Sequence, residues 1–299
     1  MGMVSSLMST QPYTESNDIL NQPDALLRRL TTEGYLFFRE LLPRDTILNV
    51  RRQILEVYRA AGWLKPGTEL MDGIARAEPF KFRSEEYLRV LRQVMTLADL
   101  HALKLHPALG GVLERIYGEP AFPVPTTIPR MTYPLPEETT QPHQDWLYVQ
   151  GSTYALTAWV PLGDLPFELG GLQVVPRSHT QGFIVPHKAA GAADKAVVVG
   201  PEADWHSTPY RAGDVILFYP LTVHGALVNQ TNRYRLSVDF RFLGQSQTMD
   251  ADWLKPHFDL GPNYTWDDID RDWPENLPVK RYWTRWPVPI KTIPHQRLF

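Results

Sequence analysis

Along the first 120 residues the apolar positions recur three and four apart, the spacing that gathers them on one face of a helix. A short helix opens near Asn21 and Pro23, carries Leu26 and Leu30 with Arg28 and Arg29 between them, and stops at Gly34. Tyr35 to Arg39 reads as a strand. From Pro43, the positions Ile47, Val50, Ile54, Val57 and Tyr58 mark the buried face of a surface helix that runs to Gly62. Ser84 before Glu85 and Glu86 is an N-cap with an acidic first turn, and Leu88, Leu91 and Met95 form the stripe of the helix it starts. Another helix is expected from Pro107 to Gly118. Together these helices should cover a sheet.

Beyond residue 120 the pattern changes to short β runs at 122–133, 153–162, 172–175, 214–220 and 234–243, separated by Pro, Gly and Asp. Helices first and non-alternating strands afterwards predict a mainly β fold with packed helices, an antiparallel barrel or jelly roll. Trp146-Leu147-Tyr148 is expected as a further strand. The stretch from Asp252 is dense in Trp, Pro and Asp without a period; it reads as an ordered tail wrapping the barrel, and its aromatic residues are also candidates to wall a pocket. Residues 1–20 are expected to be a flexible tail, and 21–299 one jelly-roll domain.

Composition narrows the function. With 299 residues and 43% hydrophobic content, one large core can be filled. A net charge of -3, with no basic stripe, argues against nucleic acid as a partner. The absence of cysteine excludes disulfides, zinc-thiolate sites and thiol nucleophiles, so any metal must sit on His and carboxylates. No uncharged apolar run approaches the ~20 residues that cross a bilayer, and the polar start lacks a signal-peptide shape. The expectation is a cytoplasmic protein without a membrane partner, its oligomeric state open.

His143-Gln144-Asp145 is a His-x-Asp triplet, and on an extended segment its first and third side chains point the same way. A second triplet, His257-Phe258-Asp259, shows how weak the motif is alone. Only the first is followed by both a further histidine, His224, and a strand with Arg235 at its start; the second is read as structural or surface. Two histidines and a carboxylate leave coordination positions open, the arrangement used for iron(II) oxygen chemistry. In the strand from Tyr234 to Leu243, Leu236, Val238, Phe240 and Phe242 share one face, and Arg235, Ser237, Asp239 and Arg241 share the other. If helices cover the apolar face, Arg235 and Ser237 are placed together inside the barrel to hold a carboxylate, the Arg by its planar fork.

In this order the residues resemble the phytanoyl-CoA dioxygenase family. The resemblance is carried by Gly34-Tyr35-Leu36, Gln141 to Asp145, Gly170-Gly171-Leu172-Gln173-Val174-Val175-Pro176 with Ser178-His179, Ala212-Gly213-Asp214, His224-Gly225, Asn229 and Arg235-Leu236-Ser237. It implies a double-stranded β-helix in which His143, Asp145 and His224 bind iron(II), and 2-oxoglutarate is the cosubstrate with O2. By the same likeness Arg235, assisted by Ser237, pairs with the cosubstrate's distal carboxylate, and Trp159 and Thr157 border it. The implied reaction is hydroxylation of a small-molecule metabolite or natural product of specialised metabolism, with release of succinate and CO2. Desaturation, epoxidation and rearrangement use the same cofactors and remain open. A zinc hydrolase also uses two histidines and a carboxylate, but no His-Glu-x-x-His helix occurs and Arg235 would have no task; a non-catalytic cupin-like binding protein is the third reading. Arg177 stands where many relatives have Gly, which puts the local turn in question. Trp146 and Tyr148 are candidates for the substrate site or the core, His179 is read as structural, and Arg130, Lys81 and Arg83 as solvated surface ahead of anion binding.

Overall fold

The computed structural model describes residues 10–78, 80–135, 139–148, 150–189, 195–257, 260–261 and 263–292. Between residues 10 and 120 its regular elements are helices apart from one strand. Helix α1 (Pro23–Glu33) begins with Pro, whose missing N–H costs nothing at a helix start, and ends at Gly34 in the left-handed region with φ 81°. Gly34 is required twice over, because a Cβ there would also stand 2.4 Å from Nδ1 of His179. Strand β1 (Tyr35–Phe38) leads to α2 (Arg44–Ala60), α3 (Glu85–Met95), α4 (Ala98–Ala102) and α5 (Pro107–Tyr117). Ser84 caps α3, its side chain accepting from the Tyr87 N–H at 3.3 Å.

The strands follow as β2 (Ala121–Thr132), β3 (Leu156–Pro161), β4 (Leu172–Val174), β5 (His187–Lys188), β6 (Lys195–Ala196), β7 (Val215–Phe218), β8 (His224–Ala226), β9 (Arg235–Gly244) and β10 (Met249–Asp250). A short helix α6 (Trp266–Asp270) and strand β11 (Ile290–Lys291) complete the order. Five strands form one antiparallel sheet in the order β1-β7-β3-β9-β2. Smaller antiparallel pairs are β4 with β8 and β5 with β6, and β10 pairs with β11 in parallel.

The period of two decides which side each strand residue serves. Leu36, Phe38, Leu156, Ala158, Leu217, Leu236, Val238 and Phe240 join one core with Ile47, Ile54, Tyr58, Val90 and Leu113 of the helices. Tyr35, Phe37, Trp159, Ile216 and Phe218 turn the other way into a second apolar cluster. Each fully buried apolar side chain contributes roughly 1.5–3 kcal/mol, enough to lock the register against a one-residue slip that would invert every face.

In β2 the ladder to β9 shifts between Pro123 and Thr127. Pro123 and Pro125 lack the N–H that a ladder requires, so the strand bulges there. The carbonyls of Val124, Pro125 and Thr126 accept instead from the buried Lys104 ammonium at 3.0, 2.5 and 3.3 Å. Burial pushes the Lys104 pKa well down.

Several expectations are corrected. Asp145–Leu147 is a 3-10 turn and not the start of a strand over Trp146 to Tyr148, closed by the Tyr148 N–H on Asp145 O at 2.9 Å. The expected flexible tail is packed from residue 10 onward: Gln11 bonds the Trp205 carbonyl, the Tyr13 hydroxyl donates to Leu172 O at 3.0 Å, and Ser16 is fully buried. Arg177 adopts φ 63° and ψ -3°, so the turn is left-handed here with a non-Gly residue in a conformation for which Gly is suited. From Asp252 onward, Trp273 donates to Thr96 O at 2.7 Å, Tyr282 donates to Pro123 O at 2.6 Å, and Trp286 meets Phe122 edge-on. No helix among the described residues is long and apolar enough to cross a membrane.

Candidate active site

The His-x-Asp segment is held as an added strand against β8. His143 and His224 exchange backbone hydrogen bonds at 2.8 and 3.0 Å, and Ala226 N bonds Thr140 O at 3.0 Å. Gln144 between the two motif residues points away and anchors the segment. Its amide donates to Gly182 O at 2.9 Å and Leu221 O at 2.7 Å, and its oxygen accepts from Ile184 N at 2.8 Å. Alternation thus holds through Gln144, and the turn at Asp145 then brings the carboxylate beside the imidazoles.

His143, Asp145 and His224 are all buried, with ligand atoms within 4.8 Å of one another; they are the only such group of three or more among the described residues. Oδ1 of Asp145 lies 3.8 Å from Nε2 of His143 and 3.7 Å from Nε2 of His224. Each histidine turns Nδ1 to a backbone carbonyl two residues back, Gln141 O at 2.8 Å and Thr222 O at 2.9 Å. That contact makes Nδ1 the protonated nitrogen and leaves the Nε2 lone pairs free for a metal. Burial pushes the His143 pKa down to about 3, with His224 adding to the effect, and burial also lowers His224. Burial alone would raise Asp145, but Arg241, His224 and His143 hold it well below the carboxylate range. The set is therefore two neutral imidazoles and one carboxylate, all in the protonation state a divalent cation requires.

The second oxygen of Asp145 is positioned from the sheet. Oδ2 accepts from the Thr157 hydroxyl at 2.7 Å and lies 3.3 Å from the Arg241 guanidinium. Thr157 and Arg241 are register partners on β3 and β9, so adjacent strands grip the same carboxylate. Thr157 was expected beside the cosubstrate; the structure places its hydroxyl on Asp145.

Beside the histidines lies a narrow cleft of about 360 Å³, solvent mouth included, lined by His143, His224, Arg130, Trp159, Arg235 and Asp239 among others. Arg235 is 3% exposed and its Nη1 donates to Ser237 Oγ at 2.8 Å, so Ser237 orients the guanidinium. Arg235 Nε is buried with no hydrogen-bond partner. Burial, with Arg130 nearby, lowers the Arg235 pKa to about 10, and the group remains a cation at neutral pH. A buried cation with an unused donor facing a small cavity fits an anion.

A second, larger chamber of about 1820 Å³, solvent mouth included, opens past Tyr148 and Arg241 toward Trp253, His257 and Tyr264. Tyr148 stands edge-on to His143 with ring centroids 6.2 Å apart, whereas the half-buried Trp146 lines none of these cavities. Arg130, read as surface, instead lines the small cavity and pairs with Asp239 at 2.7 Å; Lys81 and Arg83 are exposed. His257, read as structural or surface, lines the chamber, while Phe258 and Asp259 lie outside the described residues. His179 is structural: it bonds Thr31 O at 3.0 Å and stacks on Tyr219. Sequence reasoning placed Asp239 and Arg241 on the polar face of β9 but gave them no task. Their alternation with Arg235 and Ser237 was the available signal.

The sequence model of the phytanoyl-CoA dioxygenase family matches residues 31–237. Curated relatives include 1-deoxypentalenic acid 11-beta-hydroxylase of Streptomyces arenae, 26% identical over 246 residues and covering 77% of this chain and 84% of that one. The peroxisomal phytanoyl-CoA dioxygenase of Mus musculus is 24% identical over 242 residues, covering 77% and 70%. Among solved structures, the non-heme alpha ketoglutarate dependent carbocyclase SnoK from nogalamycin biosynthesis matches with a TM-score of 0.51 and 22% identity, over 80% and 88% of the two chains. EctD from S. alaskensis matches with a TM-score of 0.51 and 15% identity over 95% and 92%. These two structural likenesses concern the fold.

Proposed function

We propose, on the premise that this chain belongs to the phytanoyl-CoA dioxygenase family, that it is an iron(II)- and 2-oxoglutarate-dependent oxygenase hydroxylating a small organic molecule. One observation carries the reading: the three ligand atoms lie within 4.8 Å of one another, and the two histidines line a small cavity that also holds a buried arginine with an unused Nε donor. His143, Asp145 and His224 would hold iron(II), and Arg235, oriented by Ser237, would hold the distal carboxylate of 2-oxoglutarate. Trp159 would wall the cosubstrate. The five-stranded sheet and the β4–β8 pair would be the two faces of a double-stranded β-helix, a reading supported by the antiparallel pairings and the structural likenesses.

Bound by His143, Asp145 and His224, iron(II) would supply the oxygen chemistry, in which O2 oxidises 2-oxoglutarate to succinate and CO2 with one oxygen atom and a substrate C–H bond with the other. The chain's own residues supply position and charge. The Nδ1 contacts fix both imidazole tautomers, Thr157 and Arg241 hold the far oxygen of Asp145 so that Oδ1 faces the histidines, and Arg235 sets one end of the cosubstrate. The relatives' names specify hydroxylation and dioxygenation of small organic molecules, which supports the same class of reaction here. A zinc hydrolase would leave Arg235 and its cavity without a task.

Protein purified and loaded with iron(II) under argon, then exposed to O2, is expected to form succinate only when 2-oxoglutarate is present. Replacing Arg235 by Gln should raise the KM for 2-oxoglutarate more than about tenfold, the scale of a lost charge-assisted contact, while iron affinity is unchanged. Iron-dependent succinate formation that survives combined His143→Ala and Asp145→Ala replacement would overturn the assignment.

A further inference from the structure

The polar face of β9 presents Arg235, Ser237, Asp239 and Arg241 in order along the strand, with Arg235 on the small cavity and Arg241 on the large chamber. Asp145 meets Arg241 on one side and the histidines on the other. The site thus adjoins the small cavity directly through its two histidines and the large chamber through Arg241, and each compartment has one arginine of β9. Arg241 is 7% exposed, and its Nε is buried without a hydrogen-bond partner.

Charge leads to the occupant of the second compartment. Among the described residues, three guanidinium groups, of Arg130, Arg235 and Arg241, face two carboxylates, of Asp145 and Asp239. Arg130 is matched by Asp239 at 2.7 Å. A divalent metal and a doubly charged cosubstrate cancel, and Asp145 is then committed to the metal. Arg241 then shares Asp145 with the metal, and its buried Nε donor, without a hydrogen-bond partner among the described residues, is left for an anion. His257, in the same chamber, is kept neutral by burial with Arg130 and Arg241 nearby, and therefore adds no competing charge. Lys255, also at the chamber, is exposed and paired with Asp252 at 2.7 Å. The rest of the wall is largely apolar, with Val124, Ile128, Trp253, Tyr264 and Trp266.

We propose that this chamber receives the primary substrate, an apolar molecule carrying one carboxylate, and that Arg241 binds that carboxylate beside the metal site. The proposal rests on the assignment of the iron and 2-oxoglutarate sites above and adds the substrate class and the residue that reads it. Arg241 would then bridge the metal ligand Asp145 and the substrate.

The test compares 1-adamantanecarboxylate with its neutral isostere 1-adamantanecarboxamide, by calorimetry under argon, on protein saturated with iron(II) and 2-oxoglutarate. Saturation keeps the probe from the Arg235 cavity. The carboxylate is expected to bind about tenfold or more tighter than the carboxamide. Arg241→Gln should remove that preference, Arg241→Lys should keep part of it, and Lys255→Gln should leave it unchanged. Ile128→Trp, which fills the chamber, should weaken both probes. Equal binding of the two probes, or a preference that survives Arg241→Gln, overturns the proposal. Iron and 2-oxoglutarate binding are titrated on each variant first: if they bind and the preference is absent, the chamber assignment alone fails, and if neither binds the wild type, both assignments fail.

Discussion

Thr157→Val removes one hydroxyl and almost nothing else. The side chain stays β-branched and similar in volume, at a position 1% exposed on the central strand β3, so the sheet should form as before. The deleted contact is the 2.7 Å donation to Oδ2 of Asp145, which leaves that oxygen with only the Arg241 guanidinium at 3.3 Å. A buried hydrogen bond to a charged group contributes about 1.5–3 kcal/mol, and loss of a partner that orients a metal ligand typically lowers metal affinity about 10–100-fold. Iron(II) affinity is therefore expected to fall by about that factor, because Asp145 can rotate and Oδ1 no longer faces both imidazoles. The assay is calorimetric titration of metal-free protein with iron(II) under argon, repeated with cobalt(II). Circular dichroism and the urea midpoint verify the fold, and Thr157→Ser, which keeps the hydroxyl, should recover most of the loss. Wild-type affinity in a well-folded Thr157→Val protein would refute the view that the sheet positions the carboxylate through this contact.

Two further outcomes follow from buried groups outside the metal site. Burial, with Lys104 adding to it, pushes the pKa of His101 down to about 3, whereas an unfolded histidine titrates near 6.5. The unfolded chain takes the proton first, so His101 leaves stability intact above pH 6.5 and erodes it as the pH falls toward 3, by up to roughly 1.4 kcal/mol per pH unit. Urea unfolding of metal-free wild type and His101→Gln between pH 7 and 4 should give a shallower slope for the variant; parallel slopes would contradict the burial argument. Gly34→Ala places a Cβ at φ 81° and within 2.4 Å of His179 Nδ1, with Thr222 Oγ1 at 2.9 Å. A loss of about 2 kcal/mol or more is expected in denaturant unfolding, and an unchanged midpoint would show that the turn relaxes.

Much of the scaffold was legible because its signals are local. The stop at Gly34, the Ser84 cap and the alternation in β9 each depend on residues a few positions apart, and all appear in the structure. The strand expected over 172–175 is shorter than read, and β8, which carries His224, was not among the β runs at all. Three residues, with Gly225 at the centre, give too little periodicity for a strand to stand out; pairing with β4 and with the His143 segment makes it one.

For the site, the residue order along the chain already singled out His143, Asp145, His224 and Arg235, which the structure brings close together, because a His-x-Asp pair, a later histidine and an arginine at the start of an alternating strand form a chemical specification independent of exact coordinates. What only the tertiary structure decided is which neighbours complete it. Thr157 bonds Asp145, the Asp145 turn ends the extended segment one residue after Gln144, and Lys104 fills the gap opened by Pro123 and Pro125. Arg241 reaches the metal ligand through strand register, and His257 enters the chamber from the tail. These contacts join residues far apart in the chain, and their geometry is set by packing across the sheet, which no short-range pattern of polar and apolar positions contains.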